Sequence, residues 1–428
     1  MSKLTPKVKV ERENWLLNRV NQILAGLLIL FLPIQLGKHF WPNFSYVFGL
    51  SVDYLSPTIY LTDLLVLGLL FVWLLKIRNW ELGIRNWLKK YWYILVFFLY
   101  LLLSSLLAAN SSAALYKFLK VLELSFFGFY VFKNYRLFNN LVLKLLPLAL
   151  IYEAIIVYLQ IIKQASFGLW ILGERTFFAG TPGIALADFG QGLFLRPYGT
   201  FSHPNSLSGF FLISLFLVTP YWYRKNKKFC PFFLLFTIPV LLFAFSRAVW
   251  VVSLLSVMGM SYWFWGKGKR IITLIVFVFV AFIGFTLLFL PILGAQPSHE
   301  RIGLLRTSVE MINLSPITGV GLNNFISLLP VFWQTGQTYL LQPVHNIYLL
   351  VAAENGLIGL LFFLWFLYLT FKKLILNRPA NFFLYPFLSI LLLGLFDHYW
   401  LTLQQNMLLF SIVLGLIWGA SNKDNVVK

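Results

Sequence analysis

The chain has 428 residues, of which 60% are hydrophobic and only 11% are charged. A soluble protein carries about 25% charged residues and rarely contains apolar runs of 18 or more, so this composition excludes a soluble domain and indicates a polytopic membrane protein. The net charge of +20 does not indicate nucleic-acid binding, because the basic residues are scattered between apolar runs. The single cysteine, Cys230, excludes a disulfide framework and a thiolate metal cluster.

Apolar runs of about 17 to 25 residues predict an all-α membrane protein with twelve transmembrane helices. The runs lie near residues 20–36, 58–75, 91–108, 114–132, 141–162, 205–220, 229–245, 248–265, 271–293, 346–370, 381–396 and 404–420. Residues 20–420 are expected to form a single membrane domain between two polar tails, 1–19 and 421–428. The N-terminal tail lacks a cleavage site, so the first span is expected to serve as the insertion signal.

The distribution of Lys and Arg predicts the orientation. Cytoplasmic segments of membrane proteins are enriched in both residues, and here they concentrate in the segments on the side of the N-terminus. The opposite side carries only Lys38, Lys163, Arg175, Arg196, Arg247, Arg301 and Arg306. Both termini are therefore predicted to be cytoplasmic. Two long loops, about 163–204 and about 294–345, are predicted to lie outside and to pack against the membrane surface, because they are rich in Phe, Leu, Gly and Pro.

The first candidate site is "LRPYGTFSHPNSLSGFF", residues 195–211, where Pro204 and Asn205 open a span. The start of a helix exposes unpaired N–H groups and the positive end of the helix dipole, which favour an anion. Arg196, brought back by the turn-rich stretch, would make this a phosphate site. In the alternative interpretation, Asn205 only caps the helix and Arg196 is a solvated loop residue.

Three more arginines lie on the predicted outer side. Arg247 stands in "FSRAVWVV" between two spans with almost no loop, against the charge bias of that side. Arg301 and Arg306 lie in "SHERIGLLRTSVEMINLSPITGVGLNNF", where helical spacing over about 300–313 predicts an amphipathic helix that Pro316 ends. The alternative is that these arginines only contact lipid phosphates.

The segment "HNIYLLVAAENGLIGLL" places His345 at the outer boundary of a span, with Asn346 as a predicted helix cap. Histidine ionises near neutral pH, so His345 is the candidate general base. Glu354 lies inside the apolar run, where an ionisable residue indicates function. Glu354 and Asn355 are expected to pair with polar groups on neighbouring spans and to position the helix that presents His345.

Other chemistries lack their motifs. The outward segments contain no Asp-x-Asp, no His-x-x-x-His and no clustered acids, so no metal site and no cofactor are predicted. There is no Gly-Lys-Ser/Thr phosphate loop and no Gly-x-Ser-x-Gly nucleophile motif. A lipid-linked glycan flippase or another twelve-span transporter is the main alternative, favoured by Lys120, Glu123 and Glu153 within spans, although the two halves show no repeat. A structural scaffold would leave the outer arginines unexplained.

Four motifs, "RPYGTFSHPN", "SRAVW", the Arg301 segment ending in "SPITGVGLNNF", and "HNIYLLVAAENGLIGLL", resemble in this order the O-antigen ligase and polymerase superfamily. They cover about residues 195–365. The resemblance implies an inverting, metal-independent glycosyltransferase in the bacterial inner membrane, with its site facing outward. It implies an undecaprenyl-diphosphate-linked glycan as donor. The acceptor would be lipid A core in lipopolysaccharide, another glycan or a protein.

The resemblance also implies residue roles. Arg196, Arg247 and Arg301 resemble the arginines that bind the donor diphosphate, and His345 resembles the catalytic histidine. The family arginine of the third motif is usually followed four residues later by tryptophan, whereas this chain has Leu305 there, followed by Arg306. Both Arg301 and Arg306 are therefore candidates for the phosphate contact.

Overall fold

The computed structural model of the chain describes residues 6–76, 80–188, 190, 192–264, 298–332 and 341–422. The described part is mostly helical, as the sequence predicts. It also contains three two-stranded antiparallel ribbons, which the sequence analysis did not predict. The ribbons are β1 (Gly37–His39) with β4 (Thr58–Tyr60), β2 (Tyr46–Val47) with β3 (Leu50–Ser51), and β5 (Leu186–Asp188) with β6 (Leu193–Leu195).

The helices lie close to the predicted runs. In chain order they are α1 (Pro6–Leu30), α2 (Leu61–Lys76), α3 (Trp80–Leu106), α4 (Ser111–Lys133), α5 (Tyr135–Lys163), α6 (Pro204–Lys225), α7 (Phe229–Phe243), α8 (Arg247–Phe264), α9 (Ser298–Leu314), α10 (Phe325–Phe332), α11 (Ile347–Leu376), α12 (Leu384–Leu393), α13 (Tyr399–Thr402) and α14 (Gln404–Ala420). The span predicted near 271–293 lies outside the described residues. Helix α9 matches the predicted amphipathic helix and ends before Pro316.

Within the part of the chain that the structure describes, three helices are long and apolar enough to cross a membrane by length and composition, namely α5, α6 and α11. Shorter apolar helices accompany them, among them Phe229–Phe243 and Gln404–Ala420. The total of twelve spans and the cytoplasmic position of the termini stay predictions. Together, these long and short apolar helices indicate an integral membrane protein.

The core is built around α14, in which nearly every residue is buried. This helix packs most extensively against α4 and also contacts α5, α6, α11 and α12. Its first turn is polar, and Gln405 donates to the Pro33 carbonyl at 3.2 Å, while Asn406 accepts from the Ser206 hydroxyl. The Gln405 amide nitrogen and the Asn406 amide oxygen therefore both have partners at this end of the bundle.

One end of the bundle carries the long segments between helices, and we call it the loop face. Thr200 of the 164–203 segment donates to the Pro33 carbonyl beyond α1 at 2.7 Å. The Ile347 N–H at the start of α11 donates to the Gly394 carbonyl after α12 at 2.8 Å. The segments before α6, α11 and α13 therefore meet at the same face, and they carry the candidate site.

Helix α11 is interrupted at Gly356, whose φ of 61° and ψ of −170° are not helical. The segment after α9 fills the interruption: the Gly321 N–H donates to the Glu354 carbonyl at 2.9 Å, and the Leu357 N–H donates to the Pro316 carbonyl at 2.8 Å. A Cβ atom at Gly356 would lie 2.2 Å from the Ile317 carbonyl oxygen, so only glycine allows this approach. The "SPITGVG" segment and the "AENGLIG" segment of α11, the helix that begins beside His345, are thus bonded directly to each other.

Candidate functional site

The "RPYGTFSHPN" segment is held in place by polar side chains of α5. The Gln160 carbonyl oxygen accepts the Tyr198 N–H at 2.9 Å and the Gly199 N–H at 2.8 Å. The Glu153 carboxylate accepts the Thr200 N–H at 2.6 Å. Both α5 side chains are fully buried. Glu153, one of the residues that favoured a transporter, therefore anchors the segment that presents Arg196.

Arg196 is half-buried beneath this segment and bonded to two elements. Its Nε donates to the Ala244 carbonyl at the end of α7 at 2.9 Å, and its Nη2 donates to Asn205 Oδ1 at 2.6 Å. Burial, together with the positive charges of Arg301 and Arg247, lowers the pKa of Arg196 to about 10. The guanidinium stays protonated at neutral pH. The interpretation of Arg196 as a solvated loop residue is therefore wrong.

Asn205 does not cap α6, contrary to the alternative interpretation of this stretch. The cap is His203, whose Nδ1 accepts the Asn205 N–H at 3.1 Å. Asn205 instead links two charged groups, because its Nδ2 donates to Asp397 Oδ2 at 3.0 Å while its Oδ1 accepts from Arg196. Burial lowers the pKa of His203 to about 4, with further lowering by Arg196. His203 is therefore neutral and acts as a cap.

His345 lies beside an aspartate and a second histidine that sequence reasoning missed. The His345 and His398 rings are 5.3 Å apart between centroids. One ligand atom from each of His345, Asp397 and His398 lies within 4.8 Å of the other two. The "FDHYW" stretch offered a signal, since an ionisable pair between two apolar runs indicates function.

The local charges keep His345 neutral and Asp397 ionised. Burial lowers the pKa of His345, Asp397 raises it and Arg301 lowers it further, so the ring is neutral at pH 7. Burial works to raise the pKa of Asp397, but His345, His398, His203 and the Asn205 hydrogen bond outweigh burial and lower it. The His345 Nδ1 atom is buried and has no hydrogen-bond partner among the described residues. The site therefore combines a free base with an adjacent carboxylate.

The second histidine is engaged in structure. His398 Nδ1 lies 2.7 Å from the Thr402 hydroxyl, and the Tyr54 ring contacts His398 edge-on at 5.5 Å. Burial lowers the pKa of His398 to about 3. The sequence predicted no metal-ligand cluster, yet two imidazoles and a carboxylate form a donor set that Zn²⁺ takes in proteins. Arg196 and Arg301 place positive charge beside these ligands, which opposes a divalent cation.

The remaining predicted arginines differ in their relation to this centre. Arg247 opens α8 and Arg301 lies in the first turn of α9, and both charges act on Arg196. Arg301 also acts on His203 and His345. Arg306 lies further along α9 and is exposed. Among the described groups, Arg301 is the α9 arginine whose charge reaches the His345 centre.

Asn346 and Glu354, the two residues predicted to support His345, both accept hydrogen bonds from backbone N–H groups. Asn346 caps the helix, since its Oδ1 accepts the Tyr348 N–H at 2.9 Å and the Leu349 N–H at 3.0 Å. Glu354 accepts the Phe325 N–H at 3.4 Å at the start of α10, and the charge of Lys117 acts on it. Glu354 thus ties α10 to the helix that begins beside His345.

Comparison with known proteins identifies one family. Residues 232–364 match the O-antigen ligase family model, a range that contains Arg247, Arg301 and His345. Arg196 precedes this range, and Asp397 follows it. No curated protein matches the chain. Residues 232–364 are therefore similar to the O-antigen ligase family, which confirms the resemblance to the O-antigen ligase and polymerase superfamily and supports a glycosyltransferase-like function at a membrane.

Proposed function

We propose that the protein transfers a glycan from an undecaprenyl-diphosphate-type lipid donor to an acceptor hydroxyl at the outer face of the bacterial inner membrane. The observation that carries the proposal is the charge arrangement at the loop face. Arg196, Arg247 and Arg301 lie close enough to act on one another's charges, and the neutral His345 lies beside the ionised Asp397. Positive charge that can bind an anionic leaving group thus lies next to a base that can accept the proton of a hydroxyl group.

The arginines bind the donor diphosphate. Guanidinium groups donate paired hydrogen bonds to phosphate oxygens and stay charged at neutral pH. As the bond between the anomeric carbon and the diphosphate oxygen breaks, negative charge grows on that oxygen. Fixed positive charge in a partly dry site stabilises this change and does not need to reorganise. Arg196 is held in place by its hydrogen bonds to the Ala244 carbonyl and to Asn205.

His345 accepts the proton of the acceptor hydroxyl. The hydroxyl oxygen forms the new bond to the anomeric carbon from the side opposite the leaving diphosphate, so the configuration inverts. The proton passes to an imidazole nitrogen of His345, and the neighbouring Asp397 stabilises the imidazolium that forms. Undecaprenyl diphosphate leaves with the electron pair of the broken bond. Asp397 acts through His345 and is a positioning residue.

The transfer is proposed to need neither a metal ion nor ATP. A lipid diphosphate is already a good leaving group, and the three arginines supply the positive charge that a metal ion supplies elsewhere. If a divalent cation bound His345, Asp397 and His398, it would occupy the nitrogen that takes the proton. Ligases and polymerases share this chemistry and differ in the acceptor.

The proposal is tested by the covalent product. The purified protein is incubated with an undecaprenyl-diphosphate-linked glycan and a panel of acceptors, namely lipid A core, oligosaccharide and peptide. We expect a new glycosidic product with one acceptor class and free undecaprenyl diphosphate, both absent with His345→Ala. A flippase would instead move labelled lipid-linked glycan across a vesicle without covalent change, and that result would overturn the proposal.

A further inference from the structure

The His345 centre contains three side chains whose metal-binding atoms lie close together. One such atom from each of His345, Asp397 and His398 lies within 4.8 Å of the other two. Ligands of one tetrahedral zinc ion lie about 2.1 Å from the metal and about 3.4 Å from one another, so shifts of less than about 1 Å per side chain would complete the contact. Two imidazoles and one carboxylate leave the fourth position of such an ion open.

The Thr402 side chain fixes the tautomer of His398. The Thr402 hydroxyl has a single proton, which it donates to the His398 carbonyl at 3.1 Å. Its oxygen, 2.7 Å from His398 Nδ1, therefore accepts the Nδ1–H. The Nε2 atom of His398 then carries the free lone pair. Metal-binding histidines are usually oriented in this way, by a hydrogen bond from the ring N–H that does not face the metal.

The other two side chains are also suited to a cation. One Asp397 oxygen accepts from Asn205 Nδ2 at 3.0 Å and the other accepts the His398 N–H at 2.9 Å, so the carboxylate has a fixed orientation. The His345 Nδ1 atom is buried and has no hydrogen-bond partner among the described residues. A buried polar atom without a partner favours a ligand that satisfies it. The cluster therefore combines two oriented ligands with an imidazole that is free to bind.

The neighbouring arginines determine when a cation can bind this cluster. The positive charge of Arg301 acts on His345, and the Arg196 guanidinium is linked to Asp397 through Asn205. These charges oppose a divalent cation while the arginines are free. A diphosphate bound to the arginines brings negative charge to the same place and removes this opposition. A cation should therefore bind the donor complex more tightly than the free protein.

We propose that His345, Asp397 and His398 form an inhibitory Zn²⁺ site, which binds zinc when a diphosphate occupies the neighbouring arginines. The inference rests on the proposed function and adds a form of regulation to the same centre. A neutral imidazole has one nitrogen lone pair. Zinc bound to His345 takes the lone pair that would accept the acceptor's proton, so the donor stays bound without transfer. Coupling between two binding sites is reciprocal, so zinc also tightens donor binding.

The kinetic test measures transfer in zinc-free buffer with and without added ZnCl₂. Zinc that binds the donor complex lowers the apparent kcat and the apparent donor KM by the same factor. At about ten times the zinc Kd we expect both to fall roughly tenfold. Mg²⁺ at the same concentration should have no effect, because it prefers oxygen ligands. A higher donor KM at constant kcat would mean that zinc complexes the diphosphate in solution, and would overturn the inference.

Two variants locate the zinc site. His398→Gln removes one ligand but keeps an amide that can donate to Thr402, and Thr402→Val removes only the hydroxyl that orients His398. Inhibition is expressed relative to the zinc-free rate of each variant. We expect Thr402→Val to raise the zinc Kd roughly 10- to 100-fold and His398→Gln to raise it at least as much. Unchanged zinc inhibition in either variant would overturn the inference.

His39→Gln is the matched control for these variants. His39 is half-buried and its Nδ1 lies 2.9 Å from the Thr58 hydroxyl, but it does not belong to the cluster. Zinc inhibition in this variant should equal that of the wild type. Loss of inhibition in His39→Gln to the same extent as in His398→Gln would mean that zinc acts elsewhere, and would also overturn the inference.

Calorimetric titration of the purified protein with ZnCl₂ gives a readout independent of turnover. We expect undecaprenyl diphosphate to tighten zinc binding roughly tenfold, within the usual range of coupling between sites, and His398→Gln to weaken it. This result without any transfer product would overturn the proposed function and leave the zinc site standing. Equal zinc affinity with and without undecaprenyl diphosphate would overturn the inference, even if the protein forms the transfer product.

Discussion

Two groups of charged residues lie inside the helical bundle, and they differ in how their charges are balanced. In the first, between α2, α4 and α14, Lys120 pairs with Asp63 and with Glu123 at 3.2 Å, and Gln404 donates to Asp63 at 2.5 Å. In the second, at the His345 centre, the positive charges of Arg301 and Arg247 and the negative charge of Asp397 all act on Arg196. The first group pairs its cation with acids from the chain. The second brings several cations together beside a base, which suits an anionic ligand.

The comparison shows why ionisable residues within spans do not by themselves indicate transport. Lys120 forms an ion pair with Glu123 Oε2, and Glu153 is bonded to Thr200. Buried charges of this kind hold elements together, provided that both partners are present. At the His345 centre the buried atom without a hydrogen-bond partner among the described residues is a basic nitrogen, His345 Nδ1, whereas in the Lys120 group such atoms are the oxygens Glu123 Oε1 and Gln404 Oε1. We therefore expect mutations in the two groups to affect different properties, namely transfer rate and stability.

The largest expected effect on rate is that of His345→Ala. Removal of the general base should lower the single-turnover rate about 10²–10⁴-fold. Donor affinity should change little, because the arginines bind the diphosphate. The measurement pairs donor affinity with single-turnover rate, and His345→Gln controls for packing. A variant that loses donor affinity and thermal stability in parallel would assign His345 a structural role.

Asp397→Asn should lower the rate by roughly 10- to 100-fold, because a charged partner worth about 1.5–3 kcal/mol is removed from the imidazolium. Transfer in wild type should fall as pH drops through the pKa of His345, which burial holds below its ordinary value. Asp397 raises that pKa, so the neutral variant should shift the acid limb of the pH–rate profile to lower pH. An unshifted acid limb would separate Asp397 from His345.

Arg301→Ala and Arg306→Ala form a matched pair one turn apart on α9. Arg301→Ala should weaken donor binding about tenfold, a moderate effect because solvent screens an exposed charge. Arg306→Ala should leave donor affinity unchanged, since Arg306 lies further along α9 and the charge that acts on Arg196 and His345 from this helix is that of Arg301. Donor titration of both purified variants decides between them. Equal losses would mean that both residues contact phosphate or only lipid headgroups.

Lys120→Met tests the other charge group. Removal of one partner of a buried ion pair costs about 3–5 kcal/mol of stability, so yield and thermal stability should fall. The transfer rate per folded molecule should stay at the wild-type level, measured after normalisation to folded protein by size-exclusion chromatography. A stable variant without transfer activity would make this group part of the mechanism.

A chelator should have the smallest effect. Turnover in EDTA should equal turnover without it, because arginines supply the positive charge at the diphosphate. The His345, Asp397 and His398 cluster makes this measurement informative. Activity lost in EDTA and restored by Zn²⁺, Mg²⁺ or Mn²⁺ would show that these side chains hold a functional metal ion.

Most helices could be predicted because a long apolar run favours an apolar helix. Helix α9 could be predicted because its apolar residues recur with helical spacing. The arginines and His345 could be singled out because charge on the outer side is rare. The role of Asn205 could not be predicted, because Asn205 and the Asp397 that it bonds are 192 positions apart along the chain. The interruption of α11 at Gly356 could not be predicted either. It depends on backbone hydrogen bonds that Gly321 and Pro316 form with the residues on either side of Gly356.

The central claim is a single inverting displacement with His345 as base and Asp397 as its partner. The most direct test is the configuration of the new glycosidic bond, determined by NMR on the product of a donor of known anomeric configuration. We predict inversion at the anomeric carbon. Retention would contradict the account, because it requires two displacements through a glycosyl-enzyme intermediate and would make Asp397 the nucleophile.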